Sequence, residues 1–255
     1  MTERPKITAS IIAMNEEDQI ADCIRSVAWC DEVLVVDSHS TDRTREIAAE
    51  LGARVIERDW PGNCAQKQFA TDEASHDWIL NIDADERVTD ELRDSILERF
   101  SQGEPQEAGF EVARLSSWLG QWIRHGWYPE WILRVFDRRR GRWEGLDPHG
   151  HIELQGSTGR LVGDLLHYPY DDVDEHLDTI NRYTTTMAEG LHARGRSVGL
   201  LDLILRPPFR FLRFYVLKSG WKEGWRGFLL ACFAAWYGFL KYAKVYALRR
   251  ASKPS

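Results

Sequence analysis

Two carboxylates one residue apart, Asp83 and Asp85, follow the apolar run Trp78-Ile79-Leu80. Residues i and i+2 at a strand end point the same way, so both side chains can converge on one point beyond a sheet edge. Like charges held that close repel unless a cation lies between them, and hard divalent ions prefer carboxylate oxygen. Asp-x-Asp also occurs in ordinary surface turns. Here it closes a fourth regular βα unit, which favours a site for Mg²⁺ or Mn²⁺ on Asp83 and Asp85. Two more polar clusters occupy equivalent positions, Met14-Asn15-Glu16-Glu17 and Asp37-Ser38-His39-Ser40-Thr41-Asp42. Helix capping accounts for Asp37 and Ser40 taken singly; three polar clusters at successive strand ends are harder to dismiss.

The elements that must carry these residues alternate at about 25-residue spacing through the first hundred positions. Ile7–Ala13 reads as a strand, and Asn15 then caps a helix with Ile20, Cys23, Ile24 and Val27 on one face. Glu32–Asp37 is a buried strand. Ser40-Thr41-Asp42 opens a second helix that turns Ile47, Ala48 and Leu51 inward and stops at Gly52. Residues 53–58 form a third strand, 63–75 a third helix and 77–82 a fourth strand. Such βαβα order predicts a mainly parallel sheet flanked by helices, with ligands at the carboxyl ends of the strands.

From about residue 104 the alternation breaks. Residues 109–114 and 132–136 read as strands around the aromatic-basic segment 118–131, and 137–142 as a basic turn. Residues 172–194 form an amphipathic helix with Val173, Leu177, Ile180, Met187 and Leu191 on one side. In the last segment Arg206, Arg210 and Arg213 interleave with Phe209, Phe211, Leu212 and Phe214, and 227–240 is uncharged and apolar. Because a span needs about 20 apolar residues, this fourteen-residue run is expected to lie in a membrane interface rather than cross it. A buried core helix with a solvated basic end is the alternative.

Composition narrows the classes. At 255 residues the chain is one large domain, or one with an appendage. Residues 1–100 hold 11 Lys+Arg against 23 Asp+Glu, a balance of −12, whereas 204–255 hold 11 against Glu223 alone, a balance of +10. A polyanion bound to the acidic part needs metal help, and the basic part suits an anionic membrane surface. No nucleic-acid motif accompanies it, so no nucleic-acid partner is expected. The first residues show no signal-peptide pattern, and Cys23, Cys30, Cys64 and Cys232 lack zinc-like pairing. Together these read as a cytoplasmic protein with reduced thiols, peripheral to the inner face of the cytoplasmic membrane.

Neither G-x-G-x-x-G nor G-x-x-x-x-G-K-[ST] is present, which argues against a dinucleotide fold and a P-loop. The loop Ala13-Met14-Asn15-Glu16-Glu17 is too acidic for the triphosphate of a nucleotidyltransferase. A nucleotide-sugar donor fits better. Asp37 can accept hydrogen bonds from a base or ribose, Lys67 can meet a phosphate or simply face solvent, and the Asp83/Asp85 cation can neutralise a departing diphosphate.

Ser10 to Glu17, Val35 to Thr44 and Asp83 to Arg87 together resemble family 2 glycosyltransferases. Within the family the chain is similar to the lipopolysaccharide-core glucosyltransferase branch, through Arg58-Asp59-Trp60, Gln66-Lys67, Trp122 to Pro129, Gly163 to Tyr168 and Gly224 to Phe228. The resemblance spans about residues 7–247. It implies a GT-A fold and inversion at the anomeric carbon, with UDP-hexose as donor. It also implies a donor site of Ala13, Asn15, Glu16, Asp37, Ser40, Lys67 and Asp83, with Asp85 the more direct metal ligand. Residues 1–103 would then be the donor half, 104–171 the acceptor half and 172–255 a membrane-associating helical extension.

Inverting transfer needs a base for the acceptor hydroxyl. The branch usually offers a His-Glu pair, but this chain has Gly150 where the Glu is expected. Asp147 and His149 rank equally in its place, with Glu144 third; a His149/His151 metal pair has weaker support. The expected activity is metal-dependent transfer to a lipid-linked or lipopolysaccharide-core saccharide. Transfer to a polyprenyl phosphate and a silent membrane-docked scaffold are the alternatives.

Overall fold

The computed structural model describes residues 4–145, 147 and 150–251. Its described residues fall into two compact units. One is drawn from within Met1–Leu115, Pro129–Gly145 and His149–Tyr168, the other from within Ser116–Tyr128, Leu146–Pro148 and Pro169–Ser255.

The first unit opens with β1 (Ile7–Ala13), α1 (Ile20–Val27), β2 (Glu32–Asp37), α2 (Thr44–Glu50), β3 (Arg54–Glu57), α3 (Asn63–Glu73) and β4 (Trp78–Asp83). These strands pair in parallel in the order β3-β2-β1-β4, with Ala13 beside Asp37 and Ile12 beside Asp83. That register brings the polar ends of β1, β2 and β4 to one edge. The uninterrupted apolar run Val33-Leu34-Val35-Val36 is what a strand covered on both faces requires. Ile20, Cys23, Ile24 and Val27 are buried as their spacing demands.

One helix start and one helix end differ from expectation. Asn15 does not cap α1, which begins at Ile20 and has no side-chain cap. Instead Asn15 holds φ +57°, a conformation that its short polar side chain tolerates. Leu51 is 37% exposed rather than turned inward, because α2 ends one residue earlier.

The same unit continues through β5 (Glu86–Val88), α4 (Asp90–Ser101), β6 (Gly109–Trp118), whose end enters the second unit, and β7 (Gln121–Trp122) there. It resumes with β8 (Glu130–Asp137), β9 (Gly141–Glu144), β10 (His151–Leu154) and β11 (Thr158–His167). The sheet runs β3-β2-β1-β4-β8-β6-β11-β5, and β8 joins β4 antiparallel. The parallel half expected from the sequence therefore continues as an antiparallel one, as the loss of βα alternation after residue 104 requires. Together they make a GT-A-like α/β fold. The basic turn after β8 is stitched to backbone: Arg138 donates to the carbonyls of Thr71, Asp72 and Ala74, and Arg140 to Gln155 and Gln106.

The second unit is built on α5 (Val173–Ala193), α6 (Leu200–Leu212), a π-helical turn at Arg213–Leu217, a 3-10 turn at Gly220–Glu223 and α7 (Gly224–Ala251). Its core gathers Trp118, Ile123, Phe214, Leu230 and Ala231. Glu223 pins the turn at Arg124 and His125, accepting from their backbone N–H groups at 3.1 and 2.8 Å. By length and composition the stretch Gly220–Ala251 is long and apolar enough to cross a membrane, and 22% of its most apolar window is buried. The fourteen-residue count from sequence understates this helix.

Candidate functional site

The loops after β1 and β2 are laced together. Asn15 N–H donates to Ser40 Oγ (2.9 Å), and Asn15 Oδ1 accepts from Thr41 N–H (2.8 Å). Glu16 N–H donates to Thr44 Oγ1 (2.7 Å), and Ala13 C=O accepts from Ser38 N–H (2.9 Å). Asp37 is fully buried and accepts from both the N–H and the hydroxyl of Ser40. The capping role weighed from sequence is thus present: Asp37 fixes the turn on which Ser38 and Ser40 sit. Ala13, Asn15, Glu16, Asp37 and Ser40 come together as one polar rim.

Across that edge, Asp83 and Asp85 have separate surroundings. Lys67 Nζ lies 2.5 Å from Asp83 Oδ1 and an Arg134 guanidinium nitrogen 2.9 Å from Oδ2. Burial alone raises a carboxyl's pKa, but the charges of Lys67 and Arg134 outweigh it and hold Asp83 far below the usual carboxylate range. Arg134 also pairs with the fully buried Glu86 at 2.6 Å, and Arg114 reaches Glu86 at 3.2 Å. Lys67 does not face solvent: it is 7% exposed, with the Trp143 ring centroid 4.9 Å away.

Asp85 sits beyond the strand, with Oδ2 at 3.2 Å from His167 Nε2 at the end of β11. Its other oxygen, Oδ1, is buried without a hydrogen-bond partner. A buried carboxylate oxygen left unsatisfied is costly, and a cation there removes the cost. Asp85 and His167 thus present one oxygen and one imidazole nitrogen, a donor set suited to Mn²⁺ or Mg²⁺ completed by ligand oxygens and water. No group of three metal-ligating side chains occurs among the described residues, so His151 joins no such cluster.

His167, Arg134, Glu86 and Arg114 are not among the site residues expected from sequence. A signal existed for two of them. Arg134 interrupts the apolar strand Ile132-Leu133-Arg134-Val135-Phe136, and a charge there needs a buried partner. His167 closes the apolar stretch Leu165-Leu166.

Of the base candidates, His149 lies outside the described residues. Asp147 is half-buried in the turn after β9 and belongs to the second unit. Glu144 ends β9, 3.4 Å from Arg142. A Cβ at Gly150 would meet Cys64 Sγ, so a side chain at this position requires the Cys64 thiol to move aside.

The family model described as Glycosyl transferase family 2 matches residues 8–154. The chain is 34% identical to the lipopolysaccharide core biosynthesis glycosyltransferase LpsC of Rhizobium meliloti (strain 1021), over 96% of this chain and 94% of that one. It is 30% identical to an uncharacterized glycosyltransferase of Rickettsia typhi (strain ATCC VR-144 / Wilmington), over 97% and 89%. Among solved structures it is similar to glucosyl-3-phosphoglycerate synthase from Mycobacterium tuberculosis in complex with Mn²⁺ and UDP-glucose. That match has 25% identity over 44% of each chain and a TM-score of 0.37.

Proposed function

The chain belongs to glycosyl transferase family 2, and on that premise we propose that it moves a hexose from a UDP-sugar to a saccharide of the lipopolysaccharide core or a related lipid-linked acceptor. One observation carries the donor half of this reading: the orphaned Asp85 Oδ1 beside His167, on the same sheet edge as Lys67 and the Ala13–Ser40 rim. The acceptor rests on the likeness to LpsC.

Asp85 and His167 would hold the divalent cation, which when bound supplies positive charge against the leaving diphosphate. Asp83 would meet the cation or the ribose-phosphate, and doing so requires Lys67 to turn away. Lys67 is then free to donate to a diphosphate oxygen, while Arg134 remains to hold Asp83 ionised. Asp37 orders the Ser38–Ser40 turn that receives the base and ribose. A base, Asp147 or His149, takes the acceptor hydroxyl's proton. The acceptor oxygen bonds to the anomeric carbon from the face opposite the diphosphate, which leaves with the electron pair and inverts the centre.

The second unit would hold the enzyme at the inner face of the cytoplasmic membrane. A full span by α7 is disfavoured, because Lys244 Nζ donates to Asn181 and Thr184 of α5. The polar α5 thus lies along the helix where lipid would have to be.

Labelled UDP-hexose offered with rough lipopolysaccharide and, separately, with a polyprenyl phosphate tests the acceptor. Label in lipopolysaccharide supports the reading, and label only in the polyprenyl product replaces it with carrier synthesis.

A further inference from the structure

Helix α6 is inside-out. Leu201, Ile204, Leu205, Phe209 and Leu212 face outward, each 53–70% exposed, and none of the helix's residues is buried. Its arginines turn the other way, onto α7. Arg206 stacks over Tyr242, with its guanidinium carbon 4.6 Å from the ring centroid, and Arg210 lies 5.4 Å from the centroid of Tyr237. Gly238 makes room for this, since a Cβ there would lie 2.7 Å from Arg210 Cδ. A helix in water hides its apolar stripe and exposes its charges. This one leaves its apolar stripe in water.

Between the two arginines sits Lys241. It is 9% exposed, and its ammonium lies over the Tyr237 and Tyr242 rings, 5.8 and 4.8 Å from their centroids. Asp202 pairs with Arg206 at 2.6 Å. Among the described residues no carboxylate pairs with Arg210 or Lys241. Burial, with Arg210 and Arg206 nearby, lowers the Lys241 ammonium to about 8. Three cations against one carboxylate, one of them nine-tenths buried, make an incomplete electrostatic arrangement: a buried charge persists where a counter-charge completes it.

We propose that Arg206, Arg210 and Lys241 form a binding site for the phosphate group of a membrane lipid, with the outward face of α6 seated in the acyl-chain boundary around it. A phosphate oxygen accepts from an ammonium and two guanidinium groups at once, which suits a tetrahedral anion better than a planar carboxylate. The apolar stripe decides the source. A soluble phosphate would leave these five large side chains of one helix in water, whereas a lipid brings its own apolar surface.

The site deepens the membrane reading above and rests on it, so the test separates the two. Full-length protein is titrated with phosphatidylcholine vesicles carrying either phosphatidic acid or cholesteryl hemisuccinate, charge-matched, the second being anionic without an added phosphate. Wild type is expected to bind the phosphatidic acid vesicles about tenfold more tightly than the carboxylate ones. Lys241→Met, which replaces the buried ammonium by an apolar chain of similar length, is expected to keep its melting temperature and lose that preference. Lys222→Gln, an exposed control, should weaken binding to both vesicles alike. Equal binding of wild type to both, or a preference that survives Lys241→Met, overturns the phosphate site and leaves membrane docking standing. No binding to either vesicle overturns both. Stabilisation by inorganic phosphate that depends on Lys241, with no vesicle preference, overturns the lipid source.

Discussion

At the residue scale the site turns on how its two aspartates differ. Asp83 is already neutralised by Lys67 and Arg134, whereas Asp85 keeps a buried oxygen without a partner. Substituting His167 by Ala is therefore expected to raise the Mn²⁺ concentration needed for half-maximal donor turnover by about tenfold or more, the range seen when a metal's surroundings are altered. Metal titration of the rate reads this, and an unchanged midpoint would remove His167 from the site. Gly150 yields a sharper test. Gly150→Ala should cost about 1–3 kcal/mol in urea unfolding by overpacking against Cys64. Cys64→Ala in the same chain should recover most of that loss, because the remaining neighbours, Glu144 O at 3.4 Å and Cys64 Cβ at 3.6 Å, are ordinary contacts. The position of Asp83 and Asp85 at a strand end was legible from the apolar run before them, and β4 ends at Asp83. His167 and Arg134 were not, because their partners lie 82 and 51 positions away in sequence.

At the element scale, the parallel half of the sheet could be read from alternation alone, and β1 and β2 fall where their apolar runs predict. The helix starts could not. Asn15 has the chemistry of a cap but is engaged by Thr41, a tertiary contact that local propensity does not encode. Where a cap does form, its effect is predictable. Thr89 Oγ1 accepts from Leu92 N–H at the start of α4 and donates to Asp164 C=O at 2.8 Å. Thr89→Ala is expected to cost about 1–2 kcal/mol in chemical denaturation, against a few tenths for Thr186→Ala on the exposed face of α5.

In the helical unit, His176 Nδ1 accepts from Trp118 Nε1–H at 3.2 Å and its ring stacks on Tyr170. Burial lowers its pKa from 6.5 to about 4. Between those values the unfolded chain binds the proton that the folded chain excludes, so stability falls as pH drops from about 6.5 toward 4. Urea midpoints across that range should fall for wild type and less steeply for His176→Gln.

At the scale of the whole molecule, the charge asymmetry divides the work. The acidic stretch that houses Asp83 and Asp85 has a balance of −12, so the proposed nucleotide diphosphate would need a cation there, while the +10 region turns large apolar side chains outward. Composition and spacing made that division visible. The inversion of α6 was not visible, because leucines and arginines at these spacings also fit a helix packed the ordinary way. Only the partners Tyr237, Gly238 and Tyr242 show which face is inside. Membrane docking through these groups should weaken as salt rises, since screening shortens the reach of each cation while the apolar contribution stays. Vesicle co-sedimentation between low and physiological ionic strength measures this.

Metal-dependent sugar transfer at the Asp85 edge can be measured directly. Release of nucleoside diphosphate from UDP-hexose is followed with envelope lipid as acceptor, in Mn²⁺ and in EDTA, for wild type and Asp85→Ala. Turnover by wild type that vanishes in EDTA, and is lost in folded Asp85→Ala at every metal concentration, is the predicted result. Turnover that persists in EDTA, or an Asp85→Ala protein that matches wild type, would contradict it.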